Sequence, residues 1–397
     1  MFPLLRIHQI SEPDQKANGD STLIEYIDHF VYKNILIDCG YRKDTVVNYL
    51  KERGIIKVDL LIASHLDQDH IGGMKNVLED VNVEEMWIMN INILKRFIES
   101  ADGFDHEKQH MLYNIVAGHE SIVIAKDKNV RCFSTYEGHT TLIGKLFIEV
   151  LWPPLLLEDF LKNHNNMGNF LRKGKAQTYK NYLERELESR NIQTEVFPQK
   201  DVKRSRGIYL EELSWVEQYS ERYGEYNDEV FEKNYNLASR GLFNDISIVV
   251  RIVVLSDIAH ARDRPPFTML FPGDLEKWDY LFLKYGWLYY VDLLKIPHHG
   301  SKIKYRGSSI YRFFKPKISL VFPLPQHDLP NSLVRNDITR TGILSCTFLK
   351  KSSKPLSQTN GCCHRYGCSA INTGLFEIDI AGIKVVDGRN ICRGRFP

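Results

Sequence analysis

Four side chains able to bind a metal ion fall within six positions in Ser64-His65-Leu66-Asp67-Gln68-Asp69-His70-Ile71-Gly72-Gly73: His65, Asp67, Asp69 and His70. This stretch constrains the fold more than any other, because donors that share an ion must be held still by packed backbone on either side. The run before it, Val58-Asp59-Leu60-Leu61-Ile62-Ala63, is the short apolar pattern of a buried strand. Beyond Gly72-Gly73, Met74, Val77, Leu78 and Val81 recur at helical spacing. The donors are therefore expected on a loop between a strand end and a helix start. Imidazole nitrogens mixed with carboxylate oxygens suit zinc, manganese or iron, and a merely polar turn needs no such density of donors.

Along the chain, strands are expected at 4–10, 22–26 and 35–38, with the turn Asn18-Gly19-Asp20-Ser21 between the first two. A helix follows at 43–53, a strand at 85–90, helices at 94–100 and 106–118, and strands at 130–134 and 142–151. His106, His110 and His119 lie at helix-like spacing without a partner carboxylate pattern, and read as surface or core histidines. From 155 to 241 the β pattern stops, and a polar segment with helical patches begins. Its first half gathers Lys173, Lys175, Lys200, Lys203, Arg204 and Arg206; its second half is rich in Glu and Asp. Such blocks pair with each other or face water, or the basic half forms a lid that presents Lys203 and Arg204 to a phosphate-rich substrate. Strands resume at 244–251, 267–271, 293–296 and 318–322, with helices at 275–285 and 332–340 and closing strands at 344–348, 375–380 and 383–386. A loop at 346–370 carries Cys346, Cys362, Cys363, His364 and Cys368, either a small zinc site or reduced thiols.

The donor run resembles the H-x-[HD]-x-D-H signature of the metallo-β-lactamase fold. With aspartate at 67 and Ile71-Gly72-Gly73 following, it looks most like the hydrolase domain of bacterial DNA-uptake (competence) channel proteins. Matching pieces recur in Gly19-Asp20-Ser21, in Ile35-Leu36-Ile37-Asp38-Cys39-Gly40, in Asn244-Asp245-Ile246-Ser247, in Pro272-Gly273-Asp274, and in Leu293-Leu294-Lys295-Ile296-Pro297-His298-His299-Gly300-Ser301. Gln326-His327-Asp328-Leu329-Pro330 matches more loosely. The resemblance implies an α/β chain folded as one αββα sandwich over 1–397, decorated by the helical insertion at 155–241 and the Cys loop at 346–370. It also implies two divalent cations, zinc or manganese. Asp69, His70 and His299 would hold one, His65 and Asp67 the other, with Asp274 bridging and a hydroxide between them as the attacking group. Asp69 and His298 take catalytic roles; Ser301 and His327 face the substrate. Asp38 supports the donor loop, or is a strand-end turn aspartate.

Many members of the fold carry a third histidine in a Gly-His-Thr loop. Here Gly138-His139-Thr140 precedes its strand instead of following it, which leaves His164 of the insertion as the candidate. Aspartate at 67 and a missing third histidine make the second site harder, which favours manganese there.

Composition bounds the rest. A net charge of +2 over 397 residues argues against a chain that binds nucleic acid by its overall field, and leaves a local basic face open. No apolar run approaches the roughly 20 residues that span a bilayer, and Met1-Phe2-Pro3-Leu4-Leu5-Arg6 carries no secretory pattern. Seven scattered cysteines do not form a disulfide framework, so the cytoplasm is expected. The resemblance implies hydrolysis of a phosphodiester, in DNA or another nucleic acid. A small phosphoester or lactone is the alternative, and a partner-binding scaffold with a vestigial metal site is a third reading.

Overall fold

The computed structural model describes residues 4–10, 19–94, 105–153, 242–255, 267–278, 281–282, 285, 291–305, 308–324, 327, 329–339, 342–346, 374–379 and 391–392. In chain order its strands begin with β1 (Leu4–Gln9), β2 (Thr22–Asp28), β3 (Val31–Ile37), β4 (Lys57–Val58), β5 (Leu60–Ile62), β6 (Asn82–Val83), β7 (Glu85–Ile88) and β8 (Arg131–Ser134). They continue with β9 (Thr140–Ile143), β10 (Leu146–Trp152), β11 (Val249–Val254), β12 (Thr268–Phe271), β13 (Leu293–Lys295), β14 (Lys304–Tyr305) and β15 (Ser308–Ser309). β16 (Ile318–Val321), β17 (Ile343–Cys346), β18 (Gly374–Asp379) and β19 (Ile391–Cys392) complete the set. The helices are α1 (Thr45–Glu52), α2 (Gln68–Ile71), α3 (Met74–Asp80), α4 (Asp105–Asp127), α5 (Leu242–Asp245) and α6 (Ser332–Thr339).

Among the described residues these strands form two large sheets, ordered β18-β1-β2-β3-β5-β7-β8 and β19-β17-β16-β13-β12-β11-β10-β9. One continuous apolar core joins them, and Gln9 of β1 crosses between the sheets, donating from Nε2 to the Val321 carbonyl of β16 at 3.2 Å. α3 and α4 pack together beside β8 in the first sheet, and α6 packs on β17 in the second. The architecture is the αββα sandwich.

The first sheet is antiparallel over β18-β1-β2-β3 and parallel over β3-β5-β7-β8; the second is antiparallel toward both edges and parallel over β12-β13-β16-β17. Parallel strands covered on both faces read as unbroken apolar runs, and Leu60, Leu61 and Ile62 of β5 are wholly buried. Loops leaving the C-terminal ends of such strands are where α/β folds place ligands. Asp38 follows β3, Ser64 to Asp69 follow β5, Asp274 follows β12 and His298-His299 follow β13.

Four elements differ from the expectation. The strand expected at 142–151 is a hairpin, β9 and β10, that turns at Gly144-Lys145 within a run whose apolarity hides the turn. The helix expected to stop at Gly118 runs on to Asp127. Gly118 lies inside it because a Cβ there would stand 3.0 Å from Leu66 Cδ2 and 3.1 Å from Ile91 Cδ1; the glycine admits the donor loop against the helix. The strand expected at 244–251 begins at Val249, after α5. Leu275 to Trp278, expected as a first helical turn, has no regular structure. The insertion at 155–241 with His164, Lys203 and Arg204, the loop of 346–370 beyond Cys346, and the strand at 383–386 lie outside the described residues. No helix among the described residues is long and apolar enough to cross a membrane.

Candidate metal centre

The two sheets bring Asp69, His70, Asp274 and His299 together at one end of the sandwich. One donor atom from each lies within 4.8 Å of the others, and all four residues are buried. His299 Nε2 stands 3.0 Å from Asp69 Oδ2 and 3.5 Å from Asp274 Oδ2. His70 Nε2 stands 3.5 Å from Asp274 Oδ1. His65 and Asp67 adjoin this group: His65 Nε2 lies 3.5 Å from Asp67 Oδ2, and the rings of His65 and His70 are 3.9 Å apart. Asp69 and His70 ride on α2, a single helical turn, which spaces them differently from His65 and Asp67 in the extended segment before it.

Hydrogen bonds decide which nitrogen each histidine presents. Asp38 Oδ2 accepts from His70 Nδ1 at 2.8 Å and from Ser64 Oγ at 2.8 Å, while Oδ1 accepts from the Ser64 amide at 2.7 Å. With its proton given to Asp38, Ser64 Oγ is left as the acceptor for His65 Nδ1 at 3.1 Å. His299 Nδ1 donates to the Phe322 carbonyl at 2.8 Å. All three rings thus place Nδ1 against a hydrogen-bond acceptor and turn Nε2 inward, the orientation that metal-binding histidines need. The Nε2 atoms of His65 and His70 are buried and have no hydrogen-bond partner. Such orphans are rare in folded proteins, and a cation is the partner that would satisfy them. The donor set therefore fits divalent metal.

Charge says the same. Asp20, Asp38, Asp67, Asp69 and Asp274 are all buried, and close carboxylates are costly without cations. Burial alone would lower His299, yet the charges of Asp20 and Asp274 and its bonds to Asp20 and Asp69 raise it to about 10. Burial likewise opposes His70, but Asp274, Asp38, Asp69 and Asp20 hold it well above its ordinary value. Asp274 is held well below the usual carboxylate range: burial pushes it up, and Lys295, His70 and His299 outweigh that.

The backbone is bent to fit. Asp38 (φ 60), His298 (φ 44) and His299 (φ 53) are non-glycine residues in the left-handed region, each costing of order 1 kcal/mol or more. Such strain concentrates at functional sites.

Of the other candidates, His298 stands half-buried beside the cluster, its Nδ1 2.6 Å from Glu276 Oε1. Ser301 Oγ is buried without a hydrogen-bond partner, and His327 is exposed. His139 is not in the group. Its ring meets Trp87 edge-on at 4.6 Å, and burial pushes its pKa down to about 4, a core histidine. His119 is buried within α4. Ser247 Oγ accepts from the Asp274 amide at 3.2 Å.

Two residues escaped selection as candidates. Lys295 is buried and donates to the Gly273 carbonyl at 2.8 Å, to Asp274 Oδ1 at 3.0 Å and to Asp20 Oδ2. Asp20 Oδ1 faces His299 Nδ1 at 3.2 Å. A lysine closing the apolar run Leu293-Leu294-Lys295-Ile296 was the available signal, since a buried ammonium requires counter-charges.

Residues 18–125 match the family model described as the metallo-beta-lactamase superfamily. No curated protein sequence matches the chain. Similar solved structures include the metallo-beta-lactamase fold protein YhfI from Bacillus subtilis, 11% identical, covering 87% of this chain and 96% of that one, with a TM-score of 0.38. A diphosphatase of the PhnP family is 12% identical over 37% of this chain and 56% of its own, with a TM-score of 0.23. The dizinc quorum-quenching lactonase AidC is 16% identical over 34% of this chain and 53% of its own, with a TM-score of 0.24. The last two matches span just over half of those proteins.

Proposed function

We propose that the protein is a metal-dependent hydrolase acting on phosphodiesters, with nucleic acid as the substrate class. The observation that supports this most is the pair of orphaned Nε2 atoms of His65 and His70 among buried carboxylates. Asp69, His70 and His299 would hold one divalent cation, zinc or manganese; His65 and Asp67 would hold the second, with Asp274 between them. When bound, such a pair supplies Lewis acidity toward a phosphoryl oxygen and makes water acidic enough to attack near neutral pH.

The chain's own groups do the rest. Asp38 and Ser64 keep the Nε2 lone pairs of His70 and His65 aimed inward. Asp69 accepts a hydrogen bond from the attacking water and so aligns it. Glu276 fixes the His298 ring by its 2.6 Å contact, leaving Nε2 to give a proton to the leaving oxygen. Ser301 Oγ donates to an anionic oxygen of the substrate, and the exposed His327 contacts the substrate. Lys203 and Arg204 would extend the hold to a longer polyanion. The narrower choice of nucleic acid rests on the sequence resemblance to DNA-uptake hydrolase domains.

The deciding experiment is metal analysis followed by a panel of a chromogenic phosphodiester, single- and double-stranded DNA, RNA, a phosphomonoester and a lactone. Diester cleavage that chelator and Asp69→Ala both abolish is expected. Cleavage of the lactone or the monoester alone would move the assignment to the small-molecule reading. Metal-loaded protein inert on every substrate would favour the scaffold.

A further inference from the structure

The donor group of Asp69, His70, Asp274 and His299 leaves one neighbour unexplained: a lysine beside a site built to attract cations. Lys295 is 3% exposed. Its ammonium is held by Asp274 Oδ1, Asp20 Oδ2 and the Gly273 carbonyl. Three oxygens from a strand-end loop and a turn in the other sheet are a donor set that suits a hard cation.

The charge count explains why a side chain and not an ion fills that place. Asp20, Asp38, Asp67, Asp69 and Asp274, against Lys295, leave a surplus of four negative charges once the histidines are neutral. Two divalent cations balance that surplus before any hydroxide forms; without the ammonium it would be five, and a net negative charge would remain even then. The ammonium also occupies one oxygen of Asp274 from outside, turning the other toward His299 Nε2 at 3.5 Å. Through Asp20, whose second oxygen faces His299 Nδ1 at 3.2 Å, it links the two donors contributed by the second sheet.

We propose that Lys295 is a permanent cation of the centre, a tethered substitute for a third metal ion, and that it fixes how many ions the site accepts. The inference rests on the metal-binding reading above and adds to it a residue that positions Asp274 and His299 without touching substrate. A tethered charge needs no ion from solution, so the carboxylates of both sheets are joined before any metal arrives.

The test compares the full-length, chelator-stripped protein with Lys295→Met, which keeps the apolar stem and removes the charge, and with the double variant Asp20→Asn/Lys295→Met, which also removes one of the vacated carboxylates. Bound Mn²⁺ is counted by calorimetric titration and elemental analysis, and melting temperature is followed against Mn²⁺ concentration. Lys295→Met is expected to bind one equivalent more than the wild type, and to gain melting temperature over a Mn²⁺ range where the wild type has already saturated. The double variant is expected to return to the wild-type count. Lys295→Met with the wild-type count and the wild-type Mn²⁺ dependence overturns the proposal, and so does Lys295→Met that stays unfolded in excess Mn²⁺. Wild-type protein that takes up no metal overturns the hydrolase reading instead; the difference of one equivalent between the two proteins then still decides the role of Lys295.

Discussion

Asp38 offers the sharpest test of how the centre is assembled, because one carboxylate sets the proton positions of two histidines. Its Oδ1 accepts from the Ser64 amide, and its Oδ2 accepts from Ser64 Oγ and His70 Nδ1, all at 2.7 to 2.8 Å. Asp38→Asn preserves shape and backbone but has only one accepting oxygen. The Ser64 amide can only donate, so the oxygen must stay on that side and the new NH₂ must face His70 Nδ1. That nitrogen then becomes the acceptor and the proton moves to Nε2, the atom 3.5 Å from Asp274, where it blocks metal binding. Replacing the outer partner of a metal-binding histidine typically costs 10- to 100-fold in affinity, about 1.4 to 2.7 kcal/mol. Stability of the stripped protein should fall by about 1–3 kcal/mol, since charge-assisted bonds are replaced by weaker ones. Competition with a chromogenic chelator reads the affinity, and urea unfolding of stripped protein reads the stability. Metal affinity within twofold of wild type, with stability alone reduced, would refute the reasoning and leave Asp38 as a turn residue only.

Two further perturbations read the charge and the geometry separately. In stripped protein His299 is raised from 6.5 to about 10, so its contribution to stability is complete below about pH 6.5 and is lost as pH rises through 10. Metal-loaded protein holds its histidines neutral, so melting temperature against pH should fall across that window only after chelation; parallel curves would refute this. Gly273→Ala places a Cβ at φ +55, 2.9 Å from Ser247 Cβ and 3.0 Å from Ser64 Cβ. The left-handed backbone alone costs about 1–2 kcal/mol, and displacement of Ser64 and Asp274 should weaken metal binding as well, measurable by the same chelator competition.

How much of this is legible in the sequence depends on how local each feature is. The donor loop declares itself because His65, Asp67, Asp69 and His70 crowd into one turn between a buried strand and a helix. Asp274 and His299 are visible as polar residues that end apolar runs. The partnership of Asp20 with Lys295 is not visible, because Asp20 sits in a stretch whose Asn, Gly and Ser read as an ordinary turn. Only the meeting of two sheets sets it against a lysine 275 positions later, where it bonds Lys295 Nζ. Gly118 and Gly144 mislead in opposite directions. One looks like a helix stop but admits the donor loop; the other sits in an apolar run and turns a hairpin. In both, the deciding contact is tertiary: Leu66 for Gly118 and the Tyr26 ring for Gly144.

The division of the centre between sheets has a mechanical consequence. Asp20, Asp38 and the 64–70 loop belong to the first sheet, and Asp274, Lys295 and His299 to the second, so every ligand pair across the gap ties the sheets together. Backbone bonds already knit the first half: the Asp20 amide donates to the Asp69 carbonyl at 2.9 Å, and the Cys39 amide to the His70 carbonyl at 2.6 Å. The second half is held by the bent segment His298-His299-Gly300, whose three successive residues have positive φ. Strain of that kind persists only where surrounding contacts over-determine it. Here the contacts are the Phe322 carbonyl on His299 Nδ1 and the carboxylates facing its Nε2. A cation between Asp69 and His299 would convert their mutual attraction into shared coordination, so a metal bound there would also tie the two sheets together at that end.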